Sequence, residues 1–315
     1  MAALIGATDA ANDATTEATV EPHAAAQPKS SEPFMRGLWS AAHRIVSPRT
    51  LLGAVQYASP AYSDCVSHFD LRGASRRVAV TIDDAPSDAA LMHRTLDALR
   101  DAGVTATFFV VANFCRDAER LAVAEGHELG NHMCDDASSQ SMSEAEFRGA
   151  LALCDELIAS LDASWRSRPF RWFRPPQGYM ASHMKRALAE LGYSCALADV
   201  FPLDTEVRSV DWLVDFVASK TQPGSIILLH APDVRETDRG KKHERQNNAD
   251  VFPKLFPRLR ESFELGSLSD LAAEHESILE AELSAAASAG NESLDAPAAP
   301  RSTFASWFSA PAPAS

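Results

Sequence analysis

No stretch of the sequence approaches the ~20 consecutive apolar residues of a membrane-spanning helix. Basic residues are in deficit: 29 lysines and arginines face 43 acids, for a net charge of −14. That balance argues against a phosphate backbone or an anionic membrane as partner. Cysteine is scarce. Cys65, Cys115, Cys134, Cys154 and Cys195 are odd in number, widely spaced and contain no Cys-x-x-Cys, so they read as reduced, packed thiols. The start, MAALIGATDAANDATTEATVEP, has neither the basic beginning nor the apolar run of a secretory signal, and it holds acids that transit peptides avoid. As it stands it implies a cytoplasmic protein by default. No internal repeat is visible.

Large apolar residues are also sparse in residues 1–32. Residues 1–32 and 276–315 are rich in Ala, Ser, Thr and Pro, with five acids against one basic residue in each. Such segments cannot bury enough apolar surface to offset chain entropy, and both are expected to be disordered tails. Residues 33–275 remain as one domain, of a size that a single α/β barrel fills. A monomer is expected.

Within that domain apolar runs alternate with amphipathic segments. RVAVTID, from Arg77, is a continuous run, as for a strand buried on both faces. The segment after it has helical spacing through Leu91, Leu96 and Leu99, with Ser87 as N-cap and Gly103 as stop. TATFFVV, HELGNH, RWF, SCALAD, SIILLH and FELGSL read as further strands, giving about seven β/α units. Helices fall between them, including CRDAERLAVAEG and a segment that Ser143 and Glu146 would open as a capping box. A peripheral helix is expected somewhere in residues 33–75. Apolar strands alternating with helices imply a parallel sheet, either open or closed into a barrel.

The polar residues of interest share one location. Asp83 and Asp84 end VAVTI, His132 follows HELGN, Arg174 ends RWF, Asp199 and Asp204 follow SCALA, and His230 ends SIILL. All lie at the carboxyl ends of predicted strands, where parallel α/β folds build their sites. One aspartate after a strand is usually a turn residue, and one strand-end histidine is usually a core residue. Their coincidence needs a shared site. Two adjacent carboxylates are tolerable beside a cation, and Asp84, His132 and Asp136 supply the three oxygen and imidazole donors of a catalytic divalent metal. Asp83 would accept a proton from water, and His230 would donate one to a leaving amine. That set describes metal-assisted hydrolysis of an amide or ester.

The order TIDDAPS, GHELGNHMCDDAS, WFRPPQGYM, YSCALADVFPLDT, GSIILLHAP resembles the five-motif pattern of the polysaccharide deacetylases, the NodB-homology domain of carbohydrate esterase family four, across residues 76–270. The resemblance implies a distorted (β/α) barrel, a divalent metal (usually zinc), and removal of acetyl groups from chitin-like sugars, peptidoglycan or xylan. It makes Asp83 the general base, Asp84 and His132 metal ligands, and Arg174 the residue that orients the base. The backbone N–H of Gln177 would hold the oxyanion, Leu228 would line the acetyl-methyl pocket, and His230 would be the general acid.

The chain departs from the pattern at three places. Asp136 stands where the family has a second histidine ligand, as in chitin-deacetylase-like branches with Gly-Asn-His-Met followed by Asp and Ser. Asp135 is the competing ligand, and Cys134 is better read as a packed thiol. Ala85 replaces a usual glycine. Phe201 replaces the Asp of a Val-Asp-Pro, leaving Asp204 or Asp199 as the partner of His230. Tyr179 could meet a sugar face, while Trp172 and Phe173 could do the same or pack in the core. The expected substrate is an acetylated carbohydrate or a small amide. The competing readings are a catalytically weak carbohydrate-binding or scaffold module and a metal-dependent amidase on a non-sugar substrate.

Overall fold

The computed structural model describes residues 48–84, 89–114, 122–123, 125–205, 207, 209–232 and 248–289. All of these belong to the second of two units into which the chain divides, residues 42–315. The helices are α1 (Pro48–Ala58), α2 (Ala89–Ala102), α3 (Glu144–Leu161), α4 (Ser182–Glu190), α5 (Val210–Lys220), α6 (Asn248–Arg260) and α7 (Leu268–Ala289). The strands are β1 (Cys65–Val66), β2 (Arg77–Asp83), β3 (Thr107–Val110), β4 (Glu128–Asn131), β5 (Trp172–Phe173), β6 (Ser194–Ala196), β7 (Ile226–His230) and β8 (Glu264–Gly266).

Every strand pair is parallel, in the order β1-β6-β5-β4-β3-β2-β7, with β8 beside the start of β2. The sheet curls as a distorted (β/α) barrel. Its two sides meet where the chain leaving β6 reaches β7, through the single parallel bridge Val200↔Ile227. Val200 N–H donates to the Ile226 carbonyl at 3.2 Å, and Leu228 N–H donates to the Val200 carbonyl at 2.8 Å. Nearby, Phe69 N–H donates to the Gly224 carbonyl at 2.9 Å. Gly224 has φ +77°, and a Cβ there would lie 1.8 Å from the Phe69 carbonyl oxygen, so only glycine fits that junction.

The apolar runs became strands because they are covered on both faces: Val78 through Asp83 are all buried. In α3 the buried residues Phe147, Leu151, Cys154 and Ile158 follow the helical period. The expected capping box is present, with Ser143 Oγ accepting from Glu146 N–H and Glu146 Oε2 accepting from Ser143 N–H. Gly103 ends α2 with φ 60°. Ser87 and most of CRDAERLAVAEG lie outside the described residues. Trp172 and Phe173 are core residues, Trp172 stacking on Phe170 at a centroid distance of 5.3 Å.

Among the described residues the sheet has eight strands, in keeping with the seven or so expected, the two-residue β1 joining β6 in the register Cys65↔Cys195 and Val66↔Ala196. One expectation needs correction: the chain does not lose order at residue 276. Helix α7 continues to Ala289, since HESILEAELSAAASA is made of strong helix formers, Ile278 packs on the core beside Phe69 and Leu271, and Arg72 pairs with Glu282 at 3.0 Å. The expected tails at 1–32 and 290–315 lie outside the described residues.

At the barrel junction burial pushes the His68 imidazole down from 6.5 to about 4, with the nearby Arg49 cation adding to the effect. As pH falls from 6.5 toward 4, the unfolded chain takes up a proton that the folded chain refuses, so stability declines through that window. His68→Asn is expected to remove about 1–2 kcal/mol of that decline, a figure discounted because the ring is partly exposed. Urea titrations of both proteins at neutral and mildly acidic pH measure it; equal slopes against pH would show that His68 does not carry the effect.

Candidate active site

Register brings the site together. Asp83, the last residue of β2, is paired with Phe109 on one side and His230 on the other. Ala231 N–H donates to the Asp83 carbonyl at 2.8 Å, which locks the ends of β2 and β7 side by side. His132 N–H donates to the Val110 carbonyl, and Arg174 N–H donates to the Asn131 carbonyl, each at 3.0 Å. The carboxyl edge of β2, β4, β5 and β7 therefore carries Asp83, Asp84, His132, Arg174 and His230.

Arg174 is 2 % exposed and fully engaged. Its Nη1 donates to Asp83 Oδ1 at 2.6 Å and to Thr81 Oγ1 at 2.8 Å. Nε donates to the Ala196 carbonyl at 3.1 Å, and Nη2 to the Leu197 carbonyl at 3.0 Å. The guanidinium carbon lies 4.1 Å from the centroid of the Phe109 ring. A buried ion pair holds only when further hydrogen bonds support it, and the guanidinium has three besides the one to Asp83. Asp83 Oδ1 is thereby fixed, and Oδ2 points toward His132 Nε2, 3.8 Å away.

His132 Nδ1 lies 2.7 Å from the Arg174 carbonyl oxygen. A carbonyl can only accept, so Nδ1 carries a proton, and Nε2 is the ring atom available to a metal. Nε2 lies 3.6 Å from Asp84 Oδ1. Asp84, His132 and Asp136 each offer a donor atom, and the three atoms lie within 4.8 Å of one another. Two carboxylates and a tautomer-fixed imidazole suit a borderline divalent cation such as zinc, with coordination positions left open. The residues present therefore fit the group. The competing ligand Asp135 is not part of the cluster: it is exposed, and Asn113 Nδ2 donates to its Oδ1 at 2.6 Å. Cys134 packs on α3, its Sγ 3.2 Å from the Ala150 carbonyl oxygen, with burial raising its thiol pKa.

His230 is held from behind. Its Nδ1 lies 2.9 Å from Asp204 Oδ1, and its backbone N–H donates to Asp204 Oδ2 at 2.7 Å. Asp199 is used elsewhere. It accepts from Arg49 Nε at 2.6 Å, Ser225 Oγ at 3.0 Å and Ile226 N–H at 2.9 Å, and burial pushes its carboxyl up from the ordinary value. It ties α1 to the β6–β7 junction. Phe201, in the place of the family's aspartate, lies with its ring centroid 5.8 Å from that of His230. Leu228 and His230, two apart on β7, share a face of the strand, and both are half-buried. Gln177 is exposed in the turn Pro176–Gly178 with φ 59°, and Tyr179 follows half-buried. Ala85 lies outside the described residues.

Backbone strain gathers here. Among the described non-glycine residues with positive φ are Asp84 (55°), Met133 (68°), Gln177 (59°) and Leu203 (58°). They are, or adjoin, the residues Asp84, His132, Gln177 and Asp204. Left-handed conformations cost energy for such residues and persist where the surroundings enforce them, often at functional sites.

Three supporting residues escaped the sequence reading. Asn131 Oδ1 accepts from Met133 N–H at 2.9 Å, while its Nδ2 donates to Tyr193 Oη at 3.2 Å and to the Leu151 carbonyl at 3.0 Å. This fixes the turn after His132. Tyr62 Oη accepts from Met180 N–H at 3.0 Å and donates to the Gly178 carbonyl at 3.1 Å, bracing the Gln177 turn. Asn248 Nδ2 donates to Asp204 Oδ2 at 2.8 Å. Only Asn131 carried a local signal, as the neighbour of His132 within one motif.

Comparison with known proteins agrees with this geometry. A family profile described as polysaccharide deacetylase matches residues 71–196. A peptidoglycan-N-acetylglucosamine deacetylase of Bacillus cereus is 28% identical over 187 residues, 58% of this chain and 63% of the relative, so the chain spans less than two thirds of that protein. A chitooligosaccharide deacetylase of Bradyrhizobium sp. is 30% identical over 203 residues, 62% of this chain and 91% of the relative. The solved structure of peptidoglycan deacetylase PdaC from Bacillus subtilis has a TM-score of 0.56 and 23% identity over 68% of this chain and 97% of that one, a likeness of fold.

Proposed function

The chain belongs to the polysaccharide deacetylase family, and from that premise we propose that it hydrolyses the N-acetyl amide of an acetylated amino sugar in a chitin-like or peptidoglycan-like glycan. Asp84, His132 and Asp136 would hold a divalent cation, with zinc the metal best suited to the donor set. The substrate class is that of the relatives, which act on chitooligosaccharide and on peptidoglycan N-acetylglucosamine. Among the described residues no helix is long and apolar enough to cross a membrane.

The observation that carries this reading is the setting of Asp83. One oxygen is anchored by Arg174 at 2.6 Å, the other faces the donor cluster, and the neighbouring strand end holds His230 backed by Asp204. A bound cation would polarise the acetyl carbonyl and acidify the attacking water. Asp83 takes the proton of that water through Oδ2, because Oδ1 is committed to Arg174. Oxygen of the water bonds to the acetyl carbon, and the backbone N–H of Gln177 donates to the carbonyl oxygen as its negative charge grows. His230 Nε2 gives a proton to the amine nitrogen as the C–N bond breaks, while Asp204 steadies Nδ1. Leu228 receives the acetyl methyl, and Tyr179 contacts the sugar.

The test is metal analysis together with an assay on N-acetylglucosamine oligomers. Chelation is expected to abolish activity and readdition of zinc to restore it. Asp136→Asn is expected to weaken metal affinity by more than the ~10–100-fold that loss of an outer-sphere partner costs. Asp135→Asn should leave it unchanged. A fully chelated protein with undiminished activity would sink the reading.

A further inference from the structure

We propose that Asn248 is a positioning residue that locks the Asp204–His230 pair and acts on the reaction through His230 without touching substrate. The residue opens α6, 44 positions from Asp204 and 18 from His230, and is 1 % exposed. Its Nδ2 donates twice, to Asp204 Oδ2 at 2.8 Å and to the His230 carbonyl oxygen at 2.7 Å.

The orientation of the amide is forced. A carboxylate and a carbonyl are both acceptors, so only the NH₂ end can face them; the reversed amide would set oxygen against two oxygens. An asparagine at the head of a helix ordinarily turns its oxygen back to accept a first-turn N–H. Here Oδ1 is buried and has no hydrogen-bond partner among the described residues. The side chain thus serves the pair and not its own helix.

The consequence is rigidity. Asp204 is 2 % exposed and receives three donors: His230 N–H, His230 Nδ1 and Asn248 Nδ2. Asn248 also holds the peptide carbonyl of the same histidine. Carboxylate, imidazole and the end of β7 therefore form one unit. Without Asn248, Oδ2 of Asp204 loses one of its two anchors. The carboxylate can then rotate, and the direction in which His230 presents Nε2 loosens with it. The step that suffers is protonation of the leaving amine, not substrate binding.

This inference rests on His230 being the proton donor, and the test separates the two. In the metal-loaded protein, Asn248→Leu, close to asparagine in volume, is expected to lower kcat on N-acetylglucosamine oligomers about tenfold, with KM changed less than about twofold. In a His230→Ala background the same substitution should change kcat by less than about twofold, because nothing is left to position. The Nδ1 proton of His230, assigned in the NMR spectrum by its loss in His230→Ala, should exchange with solvent faster in Asn248→Leu. Equal tenfold losses in both backgrounds, or an unchanged kcat with unchanged proton exchange, would overturn the proposal. Full activity in His230→Ala would overturn the general-acid role itself, and the exchange rate would then decide alone whether Asn248 holds the pair. If the leucine variant does not fold, Asn248→Ser is read by the same criteria.

Discussion

Asp83→Asn is expected to lower kcat on N-acetylglucosamine oligomers by roughly 10²–10⁴-fold, the range that a positioned general base contributes. The substitution keeps the shape of the side chain, and an amide oxygen can still accept the Arg174 Nη1 hydrogen bond that Asp83 Oδ1 accepts at 2.6 Å. What disappears is the basic oxygen directed at the donor cluster. Asp83 is not one of the three cluster residues, so metal content should be retained. Rates measured on protein with confirmed metal content therefore distinguish a base from a ligand. A variant that keeps the wild-type rate would remove Asp83 from the base role, and one that loses its metal would move it into the ligand set.

Arg174→Met should do the most damage to the fold. It strips the partner from a buried carboxylate and leaves Thr81 Oγ1 and the carbonyls of Ala196 and Leu197 without the donors they have now. Breaking a buried pair from one side costs about 3–5 kcal/mol, mostly because the remaining charge is stranded. Urea denaturation should show that loss. The diagnostic is the double variant Asp83→Asn/Arg174→Met, which buries neither charge and should be less destabilised than the sum of the two single changes. Strict additivity would mean that the guanidinium acts through its carbonyl contacts and not through Asp83.

Asp83, Asp84, His132, Arg174 and His230 were legible in the sequence because each ends an apolar run, and in a parallel sheet such ends converge. Asp136 was legible as a donor four residues beyond His132. The choice between Asp199 and Asp204 was not, since both follow the same strand; only the structure shows Arg49 and Ser225 occupying the first while His230 takes the second. Tyr62 and Asn248 left no trace, because each works across a long separation in sequence (Tyr62 reaches Gly178, 116 residues away) and neither belongs to a local pattern. Strand β1 is two residues long, too short to display any period. The end of α7 was misjudged because an Ala-rich composition reads as low complexity until Ile278 is seen packing on the core.

The single-residue bridge between Val200 and Ile227 sets Asp204 on a different footing from the strand-end residues of the site. Asp83, Asp84, His132, Arg174 and His230 lie at the ends of β2, β4, β5 and β7, strands of one paired run in which β2 and β7 share a long register and β4 and β5 meet at Asn131↔Phe173. Asp204 lies just past the bridge, and it meets His230 from the other side of it. The proposed base and proton donor are thus held side by side by sheet register, whereas the segment that supplies Asp204 is held by the bridge and by its bonds to His230 and Asn248. Lengthening or shortening residues 201–209 would therefore disturb the pairing of Asp204 with His230 while leaving in place the register that aims Asp83.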